Sequence, residues 1–439
     1  MESATVTADK KIVRAWTYYD WANSAYSLVI TSALFPIYFN AVTTTATSKE
    51  VSFLGRVFNS DSLQTYSISV AFLIIALLSP LLSSMADYSG KKKKFMFFFS
   101  TLGALSCSAL YFFTDINTLW IGVFGSMLAA LGYAGSIVFY NAFLPEIAAP
   151  ADQDKISAKG FAMGYIGSSL LLIFCLTMVL FPAWYGNISG GFATRLSFLL
   201  VGIWWVAFAQ IPFAYLPISA KSERQLKNHI LFNGFHELKQ VWDQMIRMPV
   251  LKRYLGAFFF YSMGVQTVML VAIDFGIKEL KLANDRLIIT AVLIQLVAIA
   301  GAIGMSRLSE KFGNLRILIA TVLLWVLVCI IGYFVTTETQ FYILAGLVGL
   351  VMGGIQSLSR STYSKLMPET NDTTSFFSFY DVTEKLSIVI GLFSFGFIEG
   401  FSGSMRNSIL ALIVFFVLGL VWLLLTSAKQ QQQNKQAVS

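Results

Sequence analysis

The sequence predicts an all-α membrane protein in which twelve transmembrane helices form two six-helix bundles. Of its 439 residues, 56% are hydrophobic and only 12% are charged, about half the charged share of a soluble domain. Twelve apolar stretches each have the roughly 20 residues that a helix needs to cross ~30 Å of hydrocarbon. One long hydrophilic segment, 217–253, separates six of them from the other six. This composition excludes a soluble enzyme, a secreted disulfide scaffold and a disordered chain.

The spans are expected to be helical because hydrocarbon offers backbone polar groups no partner outside the chain. The first span follows Lys10, Lys11 and Arg14, as in a signal peptide, but it is too long and has no clear cleavage site, so we interpret it as retained. The first half contains spans at 16–39, 64–85, 95–113, 119–141, 160–181 and 194–216. The second half contains spans at 254–277, 287–305, 317–335, 341–358, 374–398 and 408–427.

The distribution of basic residues predicts that both termini are cytoplasmic. Of 31 Lys and Arg residues, 23 fall in segments on the same side as the N-terminus, 7 fall on the other side, and Lys385 lies within a span. Cytoplasmic loops of membrane proteins carry such an excess. The net charge of +8 therefore needs no nucleic acid as a partner. Because the loops are short, we expect the inner membrane of a bacterial cell.

The predicted organisation is an N-terminal bundle at 1–216, a cytoplasmic linker at 217–253 and a C-terminal bundle at 254–439. Alternating basic and apolar residues in the linker indicate an amphipathic helix on the inner membrane face. Both histidines, His229 and His236, lie in this linker without acidic or thiol partners at ligand spacing, which argues against a metal site. The sequence has no motif of a catalytic or nucleotide-binding site. We therefore expect no catalytic residues and no cofactor.

The loops after spans two and eight share a motif in which an acidic residue is followed by glycine three positions later. The glycine permits a tight turn, and the charged residues can bridge helix ends at the cytoplasmic rim. Two ordinary charged turns are the alternative, but their matched positions in the two halves favour an internal repeat. The residues are Asp87, Gly90, Lys91 and Lys92 in the first loop and Glu310 and Gly313 in the second.

These loops resemble the motif Gly-x-Leu-Ala-Asp-Arg-x-Gly-Arg-Lys of the major facilitator superfamily. Ser83 replaces the leading glycine, and the second copy is weaker because Asn314 stands where the first basic residue is expected. The resemblance implies two six-helix bundles related by an axis along the membrane normal, each with an inverted repeat. It also implies that Asp87 and Glu310 belong to a cytoplasmic gate.

A narrower resemblance is to the vacuolar amino-acid effluxer-like branch of that superfamily and its bacterial relatives. It depends on the octet at 19–26, YDWANSAY, and on the segments at 140–146, 160–165 and 353–361. This branch implies amino-acid-like substrates and efflux. The chain departs from the branch around Glu384 and Gly391, so no coupling role for Glu384 follows from the resemblance.

Span eleven contains three charged residues, Asp381, Glu384 and Lys385, within one 100° arc of the helix. A charge at mid-bilayer costs at least ~2.5 kcal/mol unless it faces water or a partner. In one interpretation Asp381 pairs with Lys385, which leaves Glu384 to carry a proton. In another the three form a structural ion-pair cluster in a hydrated vestibule. In a third, Lys385 contacts a substrate carboxylate.

Other polar residues are expected at the gate or in the cavity. We assign Asp20, one turn into span one, and Arg360, after span ten, to the gate. Asn23, Gln266 and Gln295 are candidate substrate contacts, although Gln266 and Gln295 are equally able to bond a neighbouring helix.

Together these features predict a monomeric secondary transporter that moves a small organic solute by alternating access, with protons as the candidate coupling ion. One alternative is a broad-specificity efflux pump for hydrophobic drugs, whose cavity would be aromatic and sparsely polar. The other is a receptor or scaffold that uses a transporter fold without transporting.

Overall fold

The computed structural model describes residues 9–44, 48–219 and 230–438 and is almost entirely helical. In the first half the elements are α1 Lys10–Ala25, a π-helix Tyr26–Leu34, α2 Phe35–Thr43, β1 Glu50–Phe53, β2 Arg56–Asn59, α3 Ser60–Ser89, α4 Lys92–Ala109, α5 Leu119–Asn141, α6 Leu144–Ile147, α7 Gln153–Leu180 and α8 Gly190–Tyr215. In the second half they are α9 Ile230–Ile246, α10 Pro249–Lys278, α11 Asn284–Phe312, α12 Asn314–Phe334, α13 Glu338–Leu366, α14 Thr373–Ser402 and α15 Met405–Val438.

The predicted fold class is confirmed, since the described residues contain twelve helical segments long and apolar enough to cross a membrane. Most of these helices are longer than the predicted apolar stretches. The 30 residues of α14, for example, include ends beyond the predicted 374–398. At 1.5 Å per residue such a helix is about 45 Å long, which matches hydrocarbon plus both headgroup layers. Hydropathy locates only the apolar centre of each helix.

The two ends of the molecule differ, and we name them from their residues. The basic end contains the connections at 90–91, 148–152, 313 and 367–372, and the Lys92 side chain there reaches Thr373 in the other half. The hairpin end contains the antiparallel pair β1–β2 and the connections at 113–118, 181–189 and 279–283. The basic end is the one that the sequence predicts to face the cytoplasm.

Span one is not a uniform α-helix, because its centre, Tyr26–Leu34, is a π-helix. Pro36 lies two residues after this segment, in the first turn of α2, and has no N–H to donate to the Ser32 carbonyl. The Ser32 hydroxyl donates to the carbonyl of Ser27 at 3.0 Å, across the widened turn. Such segments are frequent at functional sites because they re-aim side chains on a helix.

Each half has its own hydrophobic core, and glycines allow the helices within it to approach closely. A Cβ on Gly353 of α13 would lie 2.0 Å from the Ala298 carbonyl oxygen of α11, so only glycine fits. Gly160 and Gly164 of α7 face Asp20 and Ser24 of α1 in the same way. Small residues at these positions let the backbones of neighbouring membrane helices come close together.

The helix α9 lies inside the predicted linker and contacts α3, α10 and α14. Val241 and Met245 on one face are buried, whereas Lys239 and Gln240 are exposed, so the helix is amphipathic. His236 is exposed and hydrogen-bonds the Gln240 side chain at 2.8 Å. The predicted linker residue His229 lies outside the described residues.

Candidate substrate cavity

A cavity of about 210 Å³ lies between the two halves, and polar, charged and aromatic side chains border it. In the first half, span one lines the cavity with Asp20, Ser24, Ser27 and Thr31, which lie on one face of the helix. In the second half they come from α10, α13 and α14. A central cavity between the repeats is where transporters of this architecture bind their substrates.

The charged residues of α14 form one cluster on the wall of this cavity. The Lys385 ammonium donates to Glu384 Oε2 at 2.8 Å and lies 3.3 Å from Asp381 Oδ1. Gln266 of α10 donates to Glu384 Oε1 at 3.1 Å. The expectation that Asp381 alone would pair with Lys385 and leave Glu384 free is wrong, because the long lysine side chain reaches both carboxylates. Of the three side chains, only Glu384 is noticeably exposed, at 22%.

At the basic end of the cavity a buried ion pair joins the halves. Arg360 Nη2 of α13 lies 3.3 Å from Asp20 Oδ2 of α1, and both side chains are almost fully buried. The Tyr140 hydroxyl donates to the same carboxylate oxygen at 2.7 Å. An opposite charge and a hydrogen bond together offset the desolvation of Asp20. Asp20 and Arg360, both predicted to belong to the gate, are thus in direct contact.

The Arg360 guanidinium also uses its other donors on the first half. It donates to the Ser157 hydroxyl and carbonyl at 3.0 and 2.9 Å and to Asn141 at 3.3 Å. The rings of Trp16 and Phe161 lie 4.7 and 4.2 Å from the guanidinium carbon. A planar guanidinium suits such a site because it combines several donors with stacking faces.

A second contact between the halves is centred on Asp87, at the end of α3. Its carboxylate accepts hydrogen bonds from the backbone N–H groups of Thr374 and Ser375, at 3.2 and 2.7 Å, and from the Ser375 hydroxyl at 2.8 Å. These N–H groups belong to the first turn of α14, where free donors and the helix dipole favour a negative charge. Asp87 therefore caps a helix of the opposite half.

Lys92, at the start of α4, extends this contact. It is fully buried, pairs with Glu146 after span four, and donates to the Thr373 hydroxyl at 2.6 Å. Thr373 in turn donates to Glu146 at 2.9 Å. Of the other motif residues, Lys91 is exposed and Gly90 occupies the turn with a φ of +64°. We refer to the contacts of Asp87 and Lys92 together as the Asp87 network.

The second matched loop also contacts the opposite half of the protein, through an acidic residue that the motif did not predict. Asp154, at the start of α7, accepts from the Ser309 hydroxyl at 2.9 Å, the Asn314 amide at 2.7 Å and the Lys365 ammonium at 2.6 Å. We call this the Asp154 network. Glu310 instead lies on the exposed surface, and no described residue hydrogen-bonds it or forms an ion pair with it.

The structure places the remaining predicted residues as follows. Gln266 borders the cavity, but Asn23 and Gln295 do not. Asn23 is buried beside the cavity stripe of span one, and span eight, which carries Gln295, packs against α7 and α13 outside the lining. Gly313 forms the turn before α12 with a φ of +87°.

Sequence reasoning did not assign roles to Glu146, Asp154, Gln356 and Lys365. The Tyr165 hydroxyl donates to Gln356 at 2.5 Å, which adds another hydrogen bond between the halves at the cavity. No local feature of the sequence singles these residues out. Spacing along one chain does not reveal pairs such as Tyr165 and Gln356, which are 191 residues apart.

Two six-helix bundles with a charged central cavity, joined by hydrogen bonds at one end, define a membrane transporter of the major facilitator fold. Solved structures of that fold agree. The E. coli fucose:proton symporter FucP superposes with a TM-score of 0.69 at 14% identity, over 95% of this chain and 97% of that one. The proton:xylose symporter XylE gives 0.72 at 12% identity, over 94% of each chain.

The comparison of sequences gives the family. The family model "Vacuole effluxer Atg22 like" matches residues 8–436. The "Uncharacterized MFS-type transporter YxiO" of Bacillus subtilis is 32% identical over 96% of this chain and 97% of its own. "Autophagy-related protein 22" of Yarrowia lipolytica is 24% identical over 84% of this chain and 76% of its own. The chain belongs to the Atg22-like family, and the predicted resemblance is confirmed.

Proposed function

We propose that this protein moves a zwitterionic, amino-acid-like solute across the cell membrane by alternating access, coupled to protons. The observation that carries the proposal is the set of charges around the cavity, with Lys385 and Glu384 on its wall and Arg360 and Asp20 at its basic end. A solute with one carboxylate and one ammonium group finds a partner for each in this cavity. The family name, vacuole effluxer, supports efflux as the direction of transport.

Recognition of the solute uses the ion pair between Lys385 and Glu384. A substrate carboxylate binds the Lys385 ammonium, and the substrate ammonium binds Glu384, so each substrate group replaces a partner that the empty site already has. The Gln266 amide next to Glu384 offers a further hydrogen bond. A singly charged solute satisfies only one of the two charges, and a neutral solute satisfies neither.

The size of the cavity favours a small solute over a lipophilic drug. Drug-sized ligands occupy pockets of roughly 300–1,000 Å³, whereas this cavity measures about 210 Å³. The buried Arg360–Asp20 pair and the α14 cluster would be desolvated by a hydrophobic guest. Both features favour transport of a small polar solute.

The coupling step is assigned to the α14 cluster. Two carboxylates, Asp381 and Glu384, share the single Lys385 ammonium, so the cluster holds one negative charge when both are ionised. Binding of one proton neutralises the cluster, and a neutral cluster costs less free energy to enclose when the halves close around the cavity. Glu384 is the proposed proton carrier because it is the more exposed of the two carboxylates.

The test uses purified protein in liposomes with labelled amino acids. Glu384→Gln is expected to abolish uptake driven by a pH gradient. Exchange of internal for external substrate should continue at higher substrate concentrations, because the amide oxygen still accepts a hydrogen bond from the substrate ammonium but no longer offers it a negative charge. The matched control is Glu399→Gln, on the same helix at the hairpin end, where Glu399 pairs with the exposed Lys278 at 2.9 Å. If uptake by Glu384→Gln keeps its dependence on the gradient, Glu384 is not the proton carrier.

The substrate class is tested by thermal stabilisation of the purified protein. Free amino acids should raise the melting temperature, and their methyl esters, which lack the carboxylate, should not. Lys385→Gln should remove this selectivity. Stabilisation by lipophilic cations and not by amino acids would support the drug-efflux alternative instead.

The proposal includes the orientation of the protein in the membrane and its oligomeric state. The excess of Lys and Arg at the basic end supports a cytoplasmic location for this end and for both termini. We propose a monomer in the inner membrane of a bacterial cell, because the cavity is built from a single chain. Labelling of cysteines placed at exposed positions of each end, in intact and in opened cells, tests the orientation.

A further inference from the structure

On the lipid-facing side of the basic end, a groove separates α7 of the first half from α11 of the second. It encloses about 360 Å³ and is lined by Lys155, Lys159, Arg307 and Glu310 together with apolar residues. All four charged side chains are exposed. No hydrogen bond or ion pair connects any of them to another described residue. Three cations and one carboxylate give the groove a net charge of +2.

The residues that line the groove change from charged to apolar with increasing distance from the basic end. Counted at 1.5 Å per residue, Lys155 and Lys159 lie about 3 and 9 Å from the start of α7. On the same scale, Arg307 lies about 8 Å from the end of α11. These depths fall in the headgroup layer of a bilayer and its boundary with the hydrocarbon.

The apolar lining lies deeper. Ile166 is about 20 Å from the start of α7, and Ile303 is about 14 Å from the end of α11. Ala162 and Met163 lie between the cations and Ile166 on the same helix. The groove thus has positive charge at the headgroup level and an apolar channel below it, in the order of a phosphate headgroup and its acyl chain.

From this arrangement we propose that the groove binds one anionic phospholipid, with its phosphate on Lys155, Lys159 and Arg307 and an acyl chain against Met163 and Ile303. Basic pockets between helices at the membrane surface bind lipid headgroups by the same charge complementarity. Because α7 and α11 belong to different halves, the lipid contacts both at once, next to the Asp154 network.

The binding of phosphatidylglycerol to the full-length protein, measured by native mass spectrometry in a background of phosphatidylcholine, tests the proposal. Each cation near an anionic lipid strengthens binding about fivefold. The triple variant Lys155→Gln, Lys159→Gln and Arg307→Gln should therefore bind on the order of a hundredfold more weakly. Equal affinity of the triple variant and the unmodified protein would overturn the proposal.

A matched control removes three other exposed cations of the basic end. The variant Lys94→Gln, Lys252→Gln and Arg316→Gln changes the net charge by the same amount, at positions outside the groove. It should keep the affinity of the unmodified protein within a few-fold. An equal loss of affinity in both triple variants would show that binding of phosphatidylglycerol depends only on the overall charge, and this would refute the specific site.

Two further arms separate the lipid from a soluble anion. Met163→Trp fills the apolar channel and leaves all three cations in place, so it should also weaken binding of phosphatidylglycerol. Inorganic phosphate should not displace the lipid, since it lacks the acyl chain. Displacement by phosphate, or full affinity of Met163→Trp, would overturn the placement of a lipid in this groove. The readout is lipid binding alone, so it is independent of the proposed transport function.

Discussion

Replacement of Asp20 by asparagine should open the basic end of the protein. The change keeps the shape of the side chain but leaves the buried Arg360 guanidinium without its counter-charge. Removing one partner of a buried ion pair costs about 3–5 kcal/mol. Arg360 keeps its hydrogen bonds to Ser157 and Asn141, so we take the low end, ~3 kcal/mol.

This cost falls on one conformation only. When the halves separate at the basic end, water reaches Arg360 and solvates the unpaired charge, so the open conformation is little affected. Each 1.4 kcal/mol changes an equilibrium tenfold. Asp20→Asn should therefore shift the population toward the conformation open at the basic end on the order of a hundredfold.

The assay is the distance between spin labels on cysteines introduced at Lys94 and Arg316, which are exposed at the basic end in different halves. The three native cysteines are buried and are replaced by alanine to avoid background labelling. Asp20→Asn should add a longer distance to the distribution. Asp20→Asn combined with Arg360→Gln should return most of the population to the short distance, because no uncompensated charge remains.

Asp115→Asn at the hairpin end is the control for the loss of one negative charge. The backbone N–H of Asn117 donates to Asp115 at 2.8 Å, and this bond together with the Thr114 hydroxyl holds the pKa of the Asp115 carboxyl below its usual range. The residue is therefore ionised at neutral pH, and its replacement should leave the distance unchanged. An unchanged distribution in a folded, membrane-inserted Asp20→Asn variant would refute the reasoning.

Two other substitutions have expected outcomes. Gly353→Ala should lower the melting temperature strongly because its Cβ would meet the Ala298 carbonyl oxygen at 2.0 Å. The control is Gly346→Ala on the same helix, whose Cβ meets nothing within 4 Å and which should be neutral or stabilising. Equal melting temperatures of the two variants would contradict the close packing of α11 and α13. Asp87→Asn should increase the open population at the basic end about tenfold, less than Asp20→Asn, because it loses charge-assisted helix capping of ~1–2 kcal/mol. Substrate selectivity should stay unchanged, and a shifted substrate spectrum with normal turnover would contradict the gating role of Asp87.

The sequence was sufficient for the number of spans and their division into two halves, because hydropathy directly reflects burial in lipid. It did not predict the π-helix at Tyr26–Leu34, since the widened turn is set by hydrogen-bond register and not by hydrophobicity. The hairpin of β1 and β2 was also missed. Its turn uses Leu54 and Gly55, with φ of +51° and +75°, and Leu-Gly is a weaker turn signal than Asn-Gly.

The site was predicted unevenly, for a physical reason. The α14 cluster was found because its members are three and four residues apart, within the reach of helical periodicity. The basic partner of Asp20, the helix end that Asp87 caps and the Thr373 hydroxyl that Lys92 reaches all lie in the other half of the chain, so no local spacing indicates them. The motif also placed the second gate acid at Glu310, whereas in the structure Asp154 of the facing helix provides the carboxylate.

The two networks beside the central ion pair differ in a way that affects the proposed opening of the basic end. Asp87 binds the backbone N–H groups of Thr374 and Ser375 at the start of α14. Replacing the side chain of either residue by that of another residue with an N–H leaves these donors in place. Asp154 binds only side chains, from three different positions, each of which adjusts by rotating. Both networks must break when the halves separate at the basic end, and so must the Asp20–Arg360 pair. Loss of one contact leaves two others in place, and we therefore expect single substitutions to shift the balance between conformations without unfolding either half.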